Sequence, residues 1–325
     1  MLTNQDVIEF LTQKPTLTRT GLNKEAGLPV GTLAKVMSDA KVLSARHLAL
    51  LEPVLLRYGL VDFKNPAPAP PALALAKVLS IVNHKGGVGK TTTTINLGKA
   101  LSLRGKRVLL IDFDSQGNLS QGYGINAPEH QLSDALLQGP PLPIVTLGTG
   151  LALVPSDLKL DQAELELNRS PLGYRRFNKL VEPIRSQYDF ILIDCPPGLG
   201  IFTYSALTAS TGAIGVIQPH ASAIKGMSNL LDQISEIREL DANTNLVMEG
   251  ILIAQMKTQL VVHREMVSTA IGVMPNHYFF RTMIRDNVAL QEAQLMGQDI
   301  FSYKATSLGA VDYLALADEL IEKSI

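Results

Sequence analysis

The sequence is poor in cysteine and in aromatic residues, and neither charge sign dominates. Its 325 residues include one cysteine, Cys195, and no tryptophan, and aromatic residues make up 5%. A single cysteine excludes a disulfide framework and a multi-cysteine zinc or iron–sulfur site within one chain. The formal net charge is −1, from 29 basic and 30 acidic residues. This balance excludes a grossly basic, chromatin-like protein, although it allows a local basic patch.

Long apolar runs are absent as well. No stretch approaches about 18 consecutive apolar residues, so we expect no membrane span. The N-terminal segment MLTNQDVIEF is neither basic nor followed by a long apolar run, so we expect no signal peptide. With 46% apolar and 18% charged residues, the composition is that of a globular protein. We therefore expect a cytoplasmic protein without a membrane partner.

The segment KNPAPAPPALALA, residues 64–76, marks the clearest boundary in the chain. Four prolines among alanines favour extended conformations and cannot continue a helix. We predict a helical domain over residues 1–63, a Pro/Ala linker over 64–76 and a larger domain over 77–325. Residues 1–64 carry 8 basic and 6 acidic side chains, a net charge of +2. This small excess has the sign expected if the N-terminal domain contacts nucleic acid.

The N-terminal domain is predicted to contain short helices and one tight turn. A helix begins within residues 6–11, residues 20–37 predict helix, turn and helix, and a further helix is predicted over 47–58. Gly27 can supply the positive φ that a sharp helix exit needs. This pattern resembles the helix-turn-helix of phage-repressor-type DNA-binding domains, in which the second helix enters the major groove. The resemblance implies that Thr32 and Lys35 face operator DNA, and a small helical dimerisation or docking domain is the alternative.

Apolar strands alternate with amphipathic helical segments after residue 77. The alternation predicts an α/β fold with a mostly parallel sheet covered by helices on both faces. Strands are predicted over residues 78–83, 107–112, 151–154, 190–194, 212–218 and 246–254, and helices over 91–102, 175–186 and 225–239.

The strongest motif is VNHKGGVGKTTTT, residues 82–94, in which a strand runs into a glycine-rich turn and then a helix. Backbone N–H groups in such a turn point at an anion, and the helix N-terminus adds a favourable dipole. Lys90 is placed to reach the β and γ phosphates of a nucleotide, and Thr91 can offer its hydroxyl to Mg²⁺. The strict P-loop pattern requires glycine at position 84, where this chain has His84, and a second lysine follows at Lys85. The predicted phosphate-binding residues are Gly86, Gly87, Val88, Gly89, Lys90, Thr91 and Thr92.

Two further strand ends carry carboxylates. Asp112 and Asp114 end the strand RVLLIDFD, and Asp194 ends the strand YDFILID. Because ligands bind beyond the carboxyl ends of parallel strands, all three should gather near the glycine-rich turn. We predict that Asp194 holds Mg²⁺ through a water, that Asp112 supports the metal shell and that Asp114 orients or activates the attacking water. Phosphoryl transfer needs mainly positioning and charge neutralisation, so this set suffices for slow ATP hydrolysis.

The motifs KGGVGKTTTT, LLIDFDSQGN and FILIDCPPGLG together resemble the deviant-Walker ATPases of the ParA/MinD type, and the run IRDNVALQEA, residues 284–293, is similar to the ParA branch. The resemblance covers residues 77–325. It implies a P-loop NTPase fold, ATP and Mg²⁺ as cofactors, and catalytic roles for Lys85, Lys90 and Asp114. It also implies an ATP-bound homodimer in which Lys85 of one subunit reaches the phosphates of the other. Non-specific DNA, a ParB-type centromere-binding partner and a nucleoid-associated location follow from the same resemblance.

Several positions depart from the family pattern. Ser115 stands where the family usually has proline, and the loop 254–259 lacks the aspartate often found there. The C-terminal segment LADELIEKSI is acidic, which argues against the membrane-tethered MinD branch. A site for non-specific DNA should be basic and composite across the dimer. The candidate DNA contacts are Lys257, Arg264, Arg281 and Arg285, with Arg285 matching a basic position of the family run and ion pairing as the alternative.

The sequence therefore predicts an ATP-dependent partition ATPase that is stimulated by a ParB-type partner. Its N-terminal domain is expected to autoregulate by binding an operator. One alternative is a positioning ATPase whose cargo is a protein cluster. The other is a transcriptional regulator that uses ATP as a conformational ligand.

Overall fold

The computed structural model describes residues 2–13, 17–38, 41–58, 60, 75–139, 141–220, 223–240, 242–273 and 279–323. The chain separates into two compact units, Met1–Leu73 and Ala74–Ile325. Of the predicted linker, residues 64–74 lie outside the described residues.

The first unit is helical in its described part. Its helices pack around a small apolar core that includes Phe10, Leu33, Leu51 and Leu55. All three regions predicted to be helical contain helices. The helices are α1 Asn4–Gln13, α2 Arg19–Glu25, α3 Thr32–Met37 and α4 Ala45–Arg57.

The turn between α2 and α3 is fixed by two residues. Gly27 has φ of 64°, in the left-handed region that favours glycine. The buried Asn23 accepts a hydrogen bond from the backbone N–H of Leu33 at 3.3 Å and so caps the start of α3 from within α2. The two helices therefore keep a defined angle, as a helix-turn-helix arrangement requires.

The second unit is built on one mixed sheet. In the described part of the chain seven strands have the order β3-β4-β2-β5-β1-β6-β7, and every pairing is parallel except that of β3 with β4. The strands are β1 Lys77–Val82, β2 Val108–Asp112, β3 Val145–Gly148, β4 Leu151–Val154, β5 Phe190–Asp194, β6 Gly212–Ile217 and β7 Val247–Ile253. The six predicted strands are confirmed. Strand β3 was not predicted, because this short, largely exposed edge strand lacks an apolar pattern.

Helices cover both faces of the sheet, as predicted. Successive strand residues alternate between two cores: Val78 packs into one and Leu79 into the other. The segment 175–186, predicted as one helix, is α-helical to Val181 and then 3₁₀ over Glu182–Gln187, because Pro183 lacks an N–H. The helices are α5 Lys90–Leu103, α6 Asn118–Gln121, α7 Leu132–Gln138, α8 Leu160–Arg169, α9 Arg175–Val181, α10 Ile201–Ala209, α11 Ala223–Glu239, α12 Val261–Val273, α13 Val288–Leu295, α14 Ile300–Lys304 and α15 Leu308–Glu322.

None of the helices in the described part of the chain has both the length and the apolar character needed to cross a bilayer.

Candidate functional site

The carboxyl ends of the central strands meet at one edge of the sheet. The glycine-rich loop, residues 83–89, follows β1, and β1 pairs directly with β5 and β6. Asp112 and Asp194 lie opposite each other in the parallel pairing of β2 with β5. The structure thus brings the loop and the strand-end carboxylates together, in the arrangement that their positions in the sequence predicted.

The loop leads directly into the N-terminus of α5. Gly87 and Gly89 have φ of 74° and 101°, which residues with a side chain rarely adopt. Gly89 is the N-cap residue and makes no side-chain cap, so the first N–H groups of α5 remain directed at the cleft. Asn83 fixes the start of the loop, because its Oδ1 accepts from the N–H of Lys85 at 2.9 Å. The geometry suits an anion.

Lys90 projects its ammonium into the loop. The residue is buried, and its Nζ donates to the backbone carbonyl of Lys85 at 2.9 Å. Burial lowers the pKa of Lys90, whereas the negative charges of Asp194 and Asp114 oppose that shift. An ammonium held between the loop and two carboxylates can bridge the loop to a bound phosphate group.

Asp112 is held by the segment that follows Asp114. It is fully buried, and its Oδ2 accepts hydrogen bonds from the backbone N–H and the hydroxyl of Ser120 at 2.8 and 2.7 Å. Burial raises the pKa of Asp112 to about 7, although the Ser120 hydrogen bonds oppose the shift. Burial thus disfavours the charged form of the Asp112 carboxyl, while the two hydrogen bonds from Ser120 fix its orientation.

Asp194 has the donor atoms that a divalent cation needs. It is fully buried, and burial together with the charge of Asp112 raises its pKa to about 8, against the hydrogen bond of Thr91 and the charge of Lys90. In the described part of the chain its Oδ2 atom is buried without a well-formed hydrogen-bond partner. A cation would satisfy this oxygen and relieve the repulsion between the carboxylates.

Magnesium fits this donor set better than a metal that needs many protein ligands. No group of three or more His, Cys, Asp or Glu side chains within the described ranges could hold a metal ion. Mg²⁺ usually keeps several waters and is bound through one or two carboxylates plus substrate phosphates. Asp194, with Asp112 behind it and the Thr91 hydroxyl beside it, could hold such an ion.

Asp114 lies at the open side of the site. Its Oδ1 accepts from the backbone N–H of Gln116 at 3.0 Å, and its own N–H donates to Asp112 at 3.3 Å. The Asp114 side chain therefore stabilises the turn that contains Ser115, where the family's usual proline is missing. Asp114 also lines the cleft in front of the loop.

The cleft in front of the loop has a volume of about 620 Å³, within the range of small-molecule sites. A smaller pocket of about 50 Å³ continues from it beside Gly89, lined in part by Arg285, Asp286 and Tyr313. Several residues that border the cleft, hold the loop or hold its carboxylates were not predicted as site residues, because they lie outside the three phosphate-site motifs; among them are Ser120, Glu164, Gln218 and Gln255.

The predicted DNA contacts at 281 and 285 are engaged within the chain. Arg285 donates through Nε and Nη2 to Asp312, whose side chain is buried. Arg281 pairs with Glu322 at 2.7 Å and with Glu319 at 3.6 Å. Arg285 therefore forms an ion pair within the chain, as the alternative expected, with Asp312 as its partner, and its contact with DNA stays a prediction.

The other predicted DNA contacts divide between exposed and buried positions. Arg264 is exposed and donates only to the carbonyl of Thr258 among the described residues, at 2.8 Å. Lys257 lies 3.6 Å from Asp286. Lys35 is exposed on α3, but Thr32 is 2% exposed. The prediction that Thr32 contacts DNA is wrong, because its side chain packs into the core of the first unit.

The glycine-rich loop lies between a parallel strand and a helix N-terminus, at the carboxyl edge of the sheet. This arrangement defines a P-loop nucleotide-binding α/β protein. Similarity to known proteins identifies the family within this class. Residues 76–248 match the family described as "AAA domain". The chain is 36% identical to the sporulation initiation inhibitor protein Soj of Bacillus subtilis (strain 168) over 255 residues, which cover 76% of this chain and 98% of Soj. It is 35% identical to the chromosome partitioning protein ParA of Caulobacter vibrioides over 254 residues, which cover 76% of this chain and 94% of that protein.

Similarity to a solved structure supports the same family assignment. The septum site-determining protein MinD of Pyrococcus horikoshii OT3, complexed with Mg-ADP, superposes with a TM-score of 0.63 at 26% identity and covers 77% of this chain and 98% of that one. The chain belongs to the ParA/MinD superfamily.

Proposed function

We propose that the protein is an ATPase that binds Mg-ATP in the cleft and uses its hydrolysis to partition DNA. The observation that carries the proposal is the buried Lys90 ammonium in the glycine-rich loop, close enough for its charge to lower the pKa of Asp194, whose Oδ2 lacks a well-formed hydrogen-bond partner among the described residues. A cation site and a phosphate site adjoin there. The similarity to relatives such as the chromosome partitioning protein ParA of Caulobacter vibrioides supports partition as the process.

Each part of the site has a proposed role. The loop residues Gly86 to Thr92 bind the phosphates through backbone N–H groups, and Lys90 neutralises charge on the transferred phosphate. Thr91, Asp194 and Asp112 hold Mg²⁺, which supplies charge neutralisation at the phosphate oxygens. Asp114 orients the attacking water and accepts its proton.

The charge balance of the cleft supports a dimer. Among the described residues that line the cleft, Lys90 is the one cation, whereas Asp114 and Glu164 are acidic. A triphosphate and two carboxylates need more positive charge than Lys90 and one magnesium ion supply. Lys85 of a second copy of the chain is the proposed source, and a ParB-type partner would stimulate turnover in the assembled dimer.

The proposed division of labour follows the predicted boundaries: a helical domain over 1–63, a linker over 64–76 and an ATPase domain over 77–325. The helix-turn-helix arrangement of α2 and α3 favours a second candidate function, a transcriptional regulator with ATP as a conformational ligand. Lys35 is exposed on α3 and is the proposed operator contact there. In the ATPase domain the proposed contacts to non-specific DNA are Arg264, Lys257, Arg281 and Arg285, of which Arg281 and Arg285 also form ion pairs within the chain.

Binding to random-sequence duplex DNA, titrated with salt under Mg-ADP and under Mg²⁺ with a non-hydrolysable ATP analogue, tests the proposal. We expect binding only with the analogue, a steep loss with salt and weaker binding for Arg264→Ala. Arg104→Ala is the matched control, because Arg104 pairs with Asp318 at the far end of α5.

Two other outcomes contradict the partition proposal. Binding that ignores the nucleotide and disappears when residues 1–64 are removed supports the regulator instead. Nucleotide binding without any DNA binding supports the alternative of a positioning ATPase whose cargo is a protein assembly.

A further inference from the structure

Gln255 has a backbone conformation that glutamine rarely adopts. Its φ is 53°, and it is the one non-glycine residue with positive φ among the residues that the structure describes. It follows Ala254 directly after β7, at the same sheet edge as the glycine-rich loop. Such a conformation is unfavourable and persists where neighbouring contacts hold it, often at functional sites.

The Gln255 side chain reaches the glycine-rich loop. Its Nε2 donates to the backbone carbonyl of Gly87 at 3.1 Å. Gln218, which follows β6, donates through its own Nε2 to the same carbonyl at 3.0 Å and to Gln255 Oε1 at 2.6 Å. A carbonyl can only accept, so both amide nitrogens must face Gly87, and this fixes both amide orientations. We name these two residues the glutamine clamp.

The clamp determines the direction of one peptide group. In a planar trans peptide the carbonyl of Gly87 and the N–H of Val88 point in opposite directions. With the carbonyl held by the clamp, the N–H of Val88 points away from Gln218 and Gln255. Glycine at 87 leaves this peptide free to rotate, and a reversed peptide would direct a carbonyl oxygen at the phosphates.

We propose that Gln218 and Gln255 are positioning residues that hold the 87–88 peptide with its N–H toward the bound phosphates. The inference rests on the proposed nucleotide function and adds two residues to that site. Both side chains are partly exposed to water, so each hydrogen bond contributes modestly. Because the two amides also bond to each other, their contributions should be coupled.

Calorimetric titration of the full chain with Mg-ADP and with a non-hydrolysable ATP analogue tests the inference. Gln218→Met and Gln255→Met keep the side-chain length and remove the amide. Each should weaken binding about three- to ten-fold. The double variant should lose less than the product of the two single losses. Gln138→Met, at an exposed position on α7, should bind like the unmodified chain.

Inorganic triphosphate separates a role in the loop from a contact with the base, since Gln255 also lines the smaller pocket beside Gly89. If Gln255 positions the loop, Gln255→Met should weaken the binding of inorganic triphosphate and the binding of nucleotide by the same factor. If Gln255→Met weakened nucleotide binding and left triphosphate binding unchanged, Gln255 would contact the base and the positioning role would be wrong.

Gln255→Gly distinguishes positioning from general stabilisation. Glycine relieves the unfavourable backbone conformation, so the thermal midpoint should stay level or rise while nucleotide affinity falls. A lower midpoint with unchanged affinity would overturn the inference. If the unmodified chain binds no nucleotide, the proposed function itself is wrong. If the unmodified chain and both Met variants bind nucleotide equally well, only the positioning role of the glutamine clamp is wrong.

Discussion

The paired carboxylates should make the metal-free protein less stable as the pH rises, and Asp194→Asn should remove much of that effect. The pKa of Asp112 is raised to about 7 and that of Asp194 to about 8, from an ordinary value of 3.8. A carboxyl with a raised pKa keeps its proton in the folded chain after the unfolded chain has lost it. Its contribution is therefore complete below pH 4 and is lost as the pH rises toward 8.

The magnitude follows from the linkage between proton binding and folding. Each pH unit within that window lowers the free energy of unfolding by about 1.4 kcal/mol for each carboxyl that stays protonated. One such proton gives a loss of about 3 kcal/mol between pH 5 and pH 7. Asparagine at 194 keeps the shape and carries no charge. We therefore expect Asp194→Asn to be about 2 to 4 kcal/mol more stable than the unmodified chain at pH 7.5 without metal.

Urea unfolding followed by tyrosine fluorescence measures this effect, because the chain has no tryptophan and every tyrosine except Tyr58 belongs to the second unit. Asp232→Asn, at an exposed position on α11, is the matched control and should leave the pH dependence unchanged. A free energy of unfolding that rises from pH 5 to pH 7.5, or an Asp194→Asn variant that is less stable at pH 7.5, would refute the reasoning.

Three further predictions concern neighbouring parts of the site. Lys90→Ala should abolish nucleotide binding in calorimetry while the urea midpoint changes little, and retained binding would contradict its role. Ser120→Ala should cost about 1–3 kcal/mol in urea unfolding, more at pH 8 than at pH 5, because Asp112 loses the hydroxyl hydrogen bond that favours its charged form, while the bond from the backbone N–H of residue 120 remains. Arg285→Ala should destabilise by about 1–3 kcal/mol because the buried Asp312 is left unpaired, and adding Asp312→Asn should recover part of that loss; no recovery would contradict the pairing.

The sequence allowed the fold and the centre of the site to be predicted because their signals are local. Strand, turn and helix follow one another in VNHKGGVGKTTTT, and the aspartates stand at strand ends that a parallel sheet brings to one edge. The partners of these groups are not local. Ser120 reaches Asp112 from eight residues away, and Gln218 reaches Gly87 across 131 residues. Nothing in the local pattern marks a single glutamine or serine for such a contact.

The DNA contacts were harder to predict for a related reason. A match to a basic position of a family run predicts a positive charge there, but only tertiary packing decides whether that charge meets solvent or a carboxylate. Arg285 lies 27 residues from Asp312 and pairs with it, whereas Arg264 stays exposed. Thr32 stands at the start of the predicted recognition helix, but in the short α3 this residue is buried.

Three unfavourable features of the second unit lie at one edge of the sheet, and a bound Mg-nucleotide would relieve two of them. Two buried carboxylates repel each other, a buried ammonium is partly desolvated, and Gln255 holds a backbone conformation that glutamine disfavours. A bound cation and a phosphate group would offset the first two costs, and the third fixes the peptide that receives the phosphate. Because a ligand stabilises a fold by its differential affinity for the folded state, the proposed Mg-nucleotide should couple strongly to the stability of this sheet edge. Loss of the γ phosphate would remove part of this compensation for the buried charges. The N–H of Asp114 donates to Asp112 at this same edge of the sheet.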